Sequence, residues 1–365
     1  MIIRHATKND NEALLDLCKK APMQGVVTAY VDQSPDFFTM PSLQGEDFTV
    51  WVAEDKGVVC GCVVEAYKTI LYNGKFQKIF YIGDLKVAPE SRGTLGLKLS
   101  IHVVNEAKSK GFALGECYII DGNLKMTKVV DWLSTKIFTK ENAGFAEIFQ
   151  LIPLKKYTVN KKYNIRTATE SDVSEISALL HSSYSSYSSS PFFSENSLAA
   201  ILKSNSFFSI DNFLVAEVNG KIVACTSFWD QSSIRRTVVT KFSGYGKIGV
   251  TILKLLRPLT KLPNLPNEGD MLKYIYLRFP AALNNNIDAL QSILHYKSNL
   301  IRKEQKYHFI WAGFHQADPL SQIVNKMWKM KMKVNIIHFK FLDGVDLIPE
   351  SECVKQPVFV DFSVV

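Results

Sequence analysis

No apolar run in this chain reaches the roughly 18–20 residues that a bilayer-spanning helix needs, so no crossing helix is expected. The opening residues, MIIRHATKND, lack the apolar region of a signal peptide. Export is therefore not expected, and a cytoplasmic location is. Cysteine is sparse: six residues, Cys18, Cys60, Cys62, Cys117, Cys225 and Cys353, lie scattered. Cys60 and Cys62 flank Gly61 on one face of a strand, too close for an easy disulfide, with no second pair to complete a zinc site. Free thiols in a reducing compartment follow, and no metal is expected. No RNA- or DNA-binding motif accompanies the basic charge, so neither a nucleic acid nor a membrane is expected as partner.

What is present is a globular chain. Its 365 residues, 47% hydrophobic and 21% charged, suffice for two domains with cores of their own. The net charge of +8 suits either an anionic ligand or a solvated basic surface. One stretch organises the rest, FYIGDLKVAPESRGTLGLKLSIHVVNEAKSKG, residues 80–111. Residues 80–87 form an apolar strand that Pro89 ends, because proline offers no N–H to a ladder. A polar loop, Glu90-Ser91-Arg92-Gly93-Thr94, then opens a helix with Leu97, Ile101, Val104 and Ala107 at three- and four-residue spacing. Gly111 stands at its C-terminal cap. A strand, a glycine-bearing loop and a helix N-terminus make an anion site: free N–H donors, the positive end of the dipole, and glycines that admit a phosphate. Arg92 adds a charged fork.

The run V-A-P-E-S-R-G before a helix resembles the pyrophosphate-binding segment of the GNAT superfamily, the acyl-CoA-dependent N-acyltransferases. That family usually reads R-G-x-G-x-G or R-G-x-G-x-A. Here Arg92-Gly93-Thr94-Leu95-Gly96-Leu97 puts leucines where small residues are expected, or else the loop is one residue longer. The resemblance implies an acetyl-CoA co-substrate held by Leu85, Lys86 and Val87 of the strand and by Arg92, Gly93, Thr94, Gly96 and Leu97. Asn123 matches the asparagine that often starts the segment after the fifth strand. Asp84 becomes the first candidate for a base or water-positioning group, with Glu65 on the adjacent strand as the second. The family's acid, a tyrosine on the following helix, is missing, since Val129, Val130 and Trp132 occupy that region; Tyr118 is the substitute. The variable segment 21–47 shapes the acceptor site: Asp32 and Asp36 to meet a cationic amine, Tyr30, Phe37 and Phe38 to wall it. Buried aromatics beneath a solvated loop are the other reading of that segment.

Taken in order, strands are expected at 2–6, 48–54, 58–68, 80–87, 115–120 and 146–154, and helices at 7–20, from Leu97 to Gly111, and at 124–138. At Tyr163 the chain starts again: NIRTATESDVSEISALL parallels IIRHATKNDNEALLDLC. Asn219-Gly220 joins strands 213–218 and 221–228 as a hairpin. After an interruption holding a short helix, 247–256, the expected order is strand 271–279, helix 287–303, strand 307–314, helix 319–331 and strand 334–342. The second copy's counterpart of the phosphate loop, FPAALNNNIDAL, has no arginine and no glycine, though its asparagines can cap the helix.

The expectation is thus an α+β chain of two tandem GNAT-like domains, each a mixed, largely antiparallel sheet flanked by helices. Residues 1–157 form the acetyl-CoA-binding domain, 163–345 a copy with a degenerate phosphate loop, and 346–365 a tail that adds a strand through 358–365. The implied reaction moves an acetyl group from acetyl-CoA to an amine of a small molecule or peptide. The alternative is a non-catalytic acyl-CoA-binding or protein-interaction module.

Overall fold

A computed structural model describes all residues except 26, 205–206, 261–264, 342–347, 349–350 and 352–355. The first copy opens with β1 (Ile2–His5) and α1 (Asn11–Lys20), whose Leu14, Leu17 and Cys18 are buried along one stripe. Segment 21–47 contains a strand, β2 (Val27–Asp32). A meander of β3 (Asp47–Asp55), β4 (Val58–Tyr72) and β5 (Lys75–Val87) follows. Its two hairpins turn on Lys56-Gly57 and Asn73-Gly74, all four left-handed, as two-residue hairpin loops require. The copy continues with α2 (Leu95–Ser109), β6 (Leu114–Ile120), α3 (Leu124–Ser134) and β7 (Phe138–Leu151).

The second copy repeats the order with insertions: β8 (Asn164–Thr167), α4 (Val173–Tyr184), α5 (Glu195–Ser204), β9 (Phe213–Val218) and β10 (Lys221–Trp229). Then come β11 (Arg236–Phe242), α6 (Tyr245–Thr260), β12 (Met271–Leu272) and β13 (Tyr274–Ala282). It closes with α7 (Ile287–Glu304), β14 (Phe309–His315) and β15 (Lys329–Phe341).

The sequence repeat is one ion-pair clip built twice. Arg4 Nη1 and Nη2 reach the two oxygens of Asp10 at 2.9 and 2.8 Å, and Nη2 reaches Glu54 at 2.7 Å. Arg166 does the same to Asp172, at 2.7 and 2.8 Å, and to Glu217 at 2.5 Å. In each copy the aspartate also accepts the backbone N–H of the threonine of the Ala-Thr pair, Thr7 or Thr169, at 2.7 Å. A bidentate arginine thereby ties β1 to the start of α1 and to β3 in the first copy, and β8 to the start of α4 and to β9 in the second.

Both copies share one mostly antiparallel sheet of 12 strands, ordered β1-β3-β4-β5-β6-β15-β7-β14-β13-β10-β9-β8, with helices on its faces. Each closing strand is exchanged. β15 lies between β6 and β7 of the first copy, and β7 lies between β15 and β14 of the second. A three-stranded sheet, β12-β11-β2, joins the first copy's variable segment to the second copy's insertion, with Arg236 paired to Asp32 at 3.0 Å.

Four local expectations change. The helix expected to reach residue 138 ends at Ser134, because Phe138 is drawn into the sheet opposite Phe341. The helix expected at 319–331 is a 3-10 turn, Pro319–Val324, followed by strand; Lys329-Met330-Lys331-Met332-Lys333 alternates with the period of two that a strand demands. Cys60 and Cys62 do not share a face: a register shift in β3–β4 turns Cys60 toward the α2 core with Val63, while Cys62 packs with Leu14 and Val64 under α1. Among the described residues of 346–365 no strand forms; one bridge pairs Val358 with Ser188, and Phe359, Phe362 and Val364 pack inward instead. Cys353 lies outside the described residues.

Candidate functional site

The site begins where two parallel strands part. β5 and β6 pair over Phe80–Ile82 with Gly115–Cys117, and no further. On its other side β5 bulges: Gly83 opposes Val64 and Lys86 opposes Cys62, so Asp84 and Leu85 face Val63 alone. Asp84 takes a left-handed φ of 50°, the local twist such a bulge requires. A bulge leaves main-chain groups unpaired, here beside the opening between the strands. The second copy repeats the device, with Phe279 at φ 55° and the shift between Cys225 and Ser227.

The loop after β5 presents its donors outward. Gly93, at φ 130°, swings the chain into α2, and Arg92, Gly93 and Thr94 are exposed. Lys98 N–H makes the first helical bond, to Thr94 O at 2.9 Å, so the amides of Leu95, Gly96 and Leu97 precede the ladder. The two leucines that break the family pattern point inward: Leu95 is buried with Trp51, Val63 and Leu99, and Leu97 packs beside Ile82. Neither closes the loop. A β-carbon on Gly96 would meet only Val87 Cγ2 at 3.8 Å and Leu85 Cδ2 at 3.9 Å, so the glycine keeps a cradle open over the helix N-terminus.

Asp84 is half-buried in company. Lys86 Nζ lies 2.5 Å from its Oδ1, and Gln33 Nε2 donates to Oδ2 at 3.3 Å. Burial pushes the carboxyl up, but the charge and hydrogen bond of Lys86, Gln33 and the more distant Arg235 outweigh it and hold it below the ordinary aspartate range. Asp84 is therefore ionised at neutral pH. Gln33 Oε1, more deeply buried, has no hydrogen-bond partner among the described residues. Arg235 organises the far wall, donating to Tyr276 OH at 2.7 Å, Ser363 O at 2.9 Å and Val365 O at 3.2 Å.

Tyr118 stands on the same side, its ring centroid 5.4 Å from that of Tyr81. Its hydroxyl donates to Glu116, which also pairs with Lys68 Nζ at 2.6 Å and His338 Nε2 at 3.3 Å. Burial, and then the Glu116 charge, raises the phenol well above its ordinary value. Glu65 lies on the opposite face, fully buried, accepting from Trp51 Nε1 at 3.2 Å and Lys110 Nζ at 3.4 Å. It does not meet Asp84, because period-two alternation places it over α2. Asn123 caps α3, accepting from Met126 N at 3.2 Å.

The acceptor residues named from the variable segment have other work. Asp32 accepts from Ser34 N and Oγ at 3.0 and 2.7 Å and pairs with Arg236. Asp36 is exposed and caps a 3-10 turn through Phe38 N at 3.0 Å. Phe37 is buried under α1 with Leu14 and Leu17, and Phe38 packs at the edge of that cluster. Tyr30 is half-buried on β2 opposite Val238 of the second copy. Gln33, Lys68, Glu116, Arg235 and His338 were missed. A charge inside the apolar strand LGECYII was the available signal for Glu116; the others depend on distant partners.

A cavity of about 290 Å3 lies between the copies. Lys68, Ile70 and Tyr118 line it from the first copy, Trp229 and Phe279 from the second, and Val364 from the tail. The second copy's own opening is filled. β13 and β14 part after Tyr276 and Trp311, and residues 358–362 lie against the gap. Phe362 sits so close to Gly313 that a β-carbon there would stand 2.0 Å from its Cδ2. Asn286 caps α7 through Ala289 N at 3.2 Å, using an amide that a phosphate would need.

No protein-family model matches the sequence, and no curated protein matches it. Solved structures do. Saccharomyces cerevisiae N-myristoyltransferase with bound myristoyl-CoA superposes with TM-score 0.62 at 11% identity, over 94% of this chain and 83% of that one. A tandem GNAT protein from the clavulanic acid biosynthesis pathway gives TM-score 0.60 at 12% identity, over 94% and 99%. A probable N-acyltransferase from Enterococcus faecalis V583 gives 0.52 at 9% identity, over 94% and 73%. With its parted parallel strands, paired bulges and repeated order, the chain has the tandem fold of the GNAT superfamily.

Proposed function

We propose that the first copy transfers an acyl group from acyl-coenzyme A to an amine, and that acetyl is the group carried. The observation that carries this reading is an asymmetry. The first copy keeps an outward-facing helix N-terminus with a glycine cradle and Arg92, whereas Phe362 fills the second copy's opening and Asn286 caps its helix. Residues 92–97 would hold the pyrophosphate, and the bulge amides around Leu85 and Lys86 would polarise the thioester carbonyl. Acetyl is the group that the resemblance of the Arg92–Leu97 loop implies.

The acceptor, a small molecule or peptide amine, enters from the cavity between the copies, beside Lys68 and Tyr118. Asp84, already ionised, and the unpartnered Gln33 Oε1 orient its N–H groups. The neutral nitrogen attacks the carbonyl, the C–S bond breaks, and the amine proton leaves toward Asp84 or a water it holds. Tyr118, protonated at neutral pH, is the residue that can return a proton to the thiolate.

Calorimetric titration with acetyl-CoA, beside Arg92→Glu, tests the reading. One-site micromolar binding, lost in the variant and followed by thiol release with an amine panel, is the expected result. No binding at millimolar acetyl-CoA refutes it. Binding without turnover supports the second reading, a non-catalytic acyl-CoA-binding module, which the Asp84–Lys86 pairing favours by partly neutralising the candidate base.

A further inference from the structure

Helix α6 is inserted between β11 and β12 of the small sheet that joins the two copies. Tyr245, Ile248, Ile252 and Leu255 recur along it at three- and four-residue spacing, which confines them to an arc of about 80° at 100° per residue. They are 89%, 57%, 50% and 75% exposed. Single exposed hydrophobics are ordinary on a protein surface; four aligned on one helix face mark a surface that something covers. The remaining face carries Lys247, Lys254 and Arg257. Residues 241–261 hold five basic side chains, Lys241, Lys247, Lys254, Arg257 and Lys261, and not one aspartate or glutamate.

We propose that α6 is an interfacial anchor that lays its apolar stripe into the surface of a bilayer rich in anionic phospholipid. A helix with one apolar face, an aromatic at its end and a wholly cationic polar face binds a membrane by burying the first and drawing the last toward headgroup phosphates. The charge selects this occupant. The nearest acidic side chains, Glu268 and Asp270, already accept from Phe242 N and Asn267 of the same chain and are outnumbered by the basic ones. A second copy meeting stripe to stripe would therefore bring two net-cationic segments together, and like charges across an interface oppose docking. This proposal departs from the expectation from composition that no membrane is a partner, because it rests on exposure rather than on overall hydrophobicity. Among the described residues no helix is long and apolar enough to cross a membrane, and α6 lies flat on one instead. The proposal is independent of the acyltransfer reading.

Co-sedimentation of the full chain with vesicles tests it, using phosphatidylcholine alone and phosphatidylcholine with about a third phosphatidylserine. At least tenfold stronger partitioning to the anionic vesicles is expected, reduced by high salt. The double variant Ile252→Asp/Leu255→Asp should lose binding to both, and Lys247→Glu/Lys254→Glu should lose the anionic preference alone. All these side chains are exposed, so both variants should keep the parent's melting temperature and circular dichroism. Absence of binding to anionic vesicles overturns the proposal, and so does binding that neither variant alters. A lipid-free dimer that Ile252→Asp/Leu255→Asp dissolves would overturn it in favour of a second copy.

Discussion

Gly96→Ala separates the needs of the fold from those of the ligand, because it should move them in opposite directions. Gly96 lies in the first turn of α2, and a β-carbon there makes only ordinary contacts, 3.8 Å to Val87 and 3.9 Å to Leu85. Replacing a helical glycine by alanine where no clash arises stabilises by about 0.4–1 kcal/mol, mostly by restricting the unfolded chain. For a chain of this size that corresponds to a rise of about 1 °C in Tm. On the proposed function the same carbon would sit beside the free amides of the first turn of α2, where the pyrophosphate is to approach. Losing one charged hydrogen bond there costs about 1.5–3 kcal/mol, or about ten- to hundredfold in Kd. Calorimetric titration with acetyl-CoA and a thermal melt on the same preparation read both quantities. Unchanged affinity with a raised Tm would remove this helix end from ligand binding. A fall in both would mean that the glycine serves the fold.

Asp84→Asn should leave acetyl-CoA affinity within about threefold and lower transfer to a competent amine by at least about tenfold, as removal of a base or orienting group does; untouched turnover would end its assignment. Because the Asp84 carboxyl is held below its ordinary value, its contribution to stability is present above about pH 4 and lost as pH falls further. Urea titrations of parent and variant should therefore differ at pH 7 and converge toward pH 3, and a difference that instead grows on acidification would contradict the pairing with Lys86. Arg4→Ala and Arg166→Ala should each cost about 1–2 kcal/mol, discounted for their part-exposed side chains; a denaturation midpoint that moves for one and not the other would break the equivalence of the two clips. Gly313→Ala should destabilise by about 1–3 kcal/mol through its clash with Phe362. In a Phe362→Ala background the added methyl should cost little, so additive losses in a double-mutant cycle would show that the ring does not fill the second copy's opening.

Much of the fold is written in local pattern. Strand alternation, hairpin signals at Lys56-Gly57, Asn73-Gly74 and Asn219-Gly220, and the helical spacing after Gly93 are properties of neighbouring residues, and most of the core strands and helices lie where those patterns put them. The repeated Arg, Ala-Thr and Asp spacing was legible for the same reason, since the Arg–Asp arm of the clip closes within six residues of chain, whereas its Glu54 and Glu217 arm does not. Leu95 and Leu97 look like obstructions in the sequence and are core residues in the fold; helix phase turns them inward, and phase depends on where α2 begins.

The candidate site was less legible. Asp84 stands in the β5 bulge, for which the sequence showed no pattern, and its partners Lys86 and Gln33 come from two positions along the strand and from a segment far upstream; pairing decides whether a carboxylate acts as a base. Asp32 and Asp36 were plausible amine ligands until Arg236 and a 3-10 turn claimed them. Glu65 and Asp84 lie on adjacent strands, yet pleat alternation and the bulge send them to opposite faces.

By itself the sequence determined the α+β class, the doubling of the pattern, and one glycine-bearing strand–loop–helix in the first copy, because each is encoded in short-range periodicity and turn chemistry. Only the tertiary structure decided that β7 and β15 exchange places, that the last residues fill the second copy's opening, and that a cavity opens between the halves. Those outcomes depend on which of several compatible strands and apolar side chains pack together across the chain. Hydrophobic burial is non-directional, so it names the residues that go inside and leaves their partners to geometry.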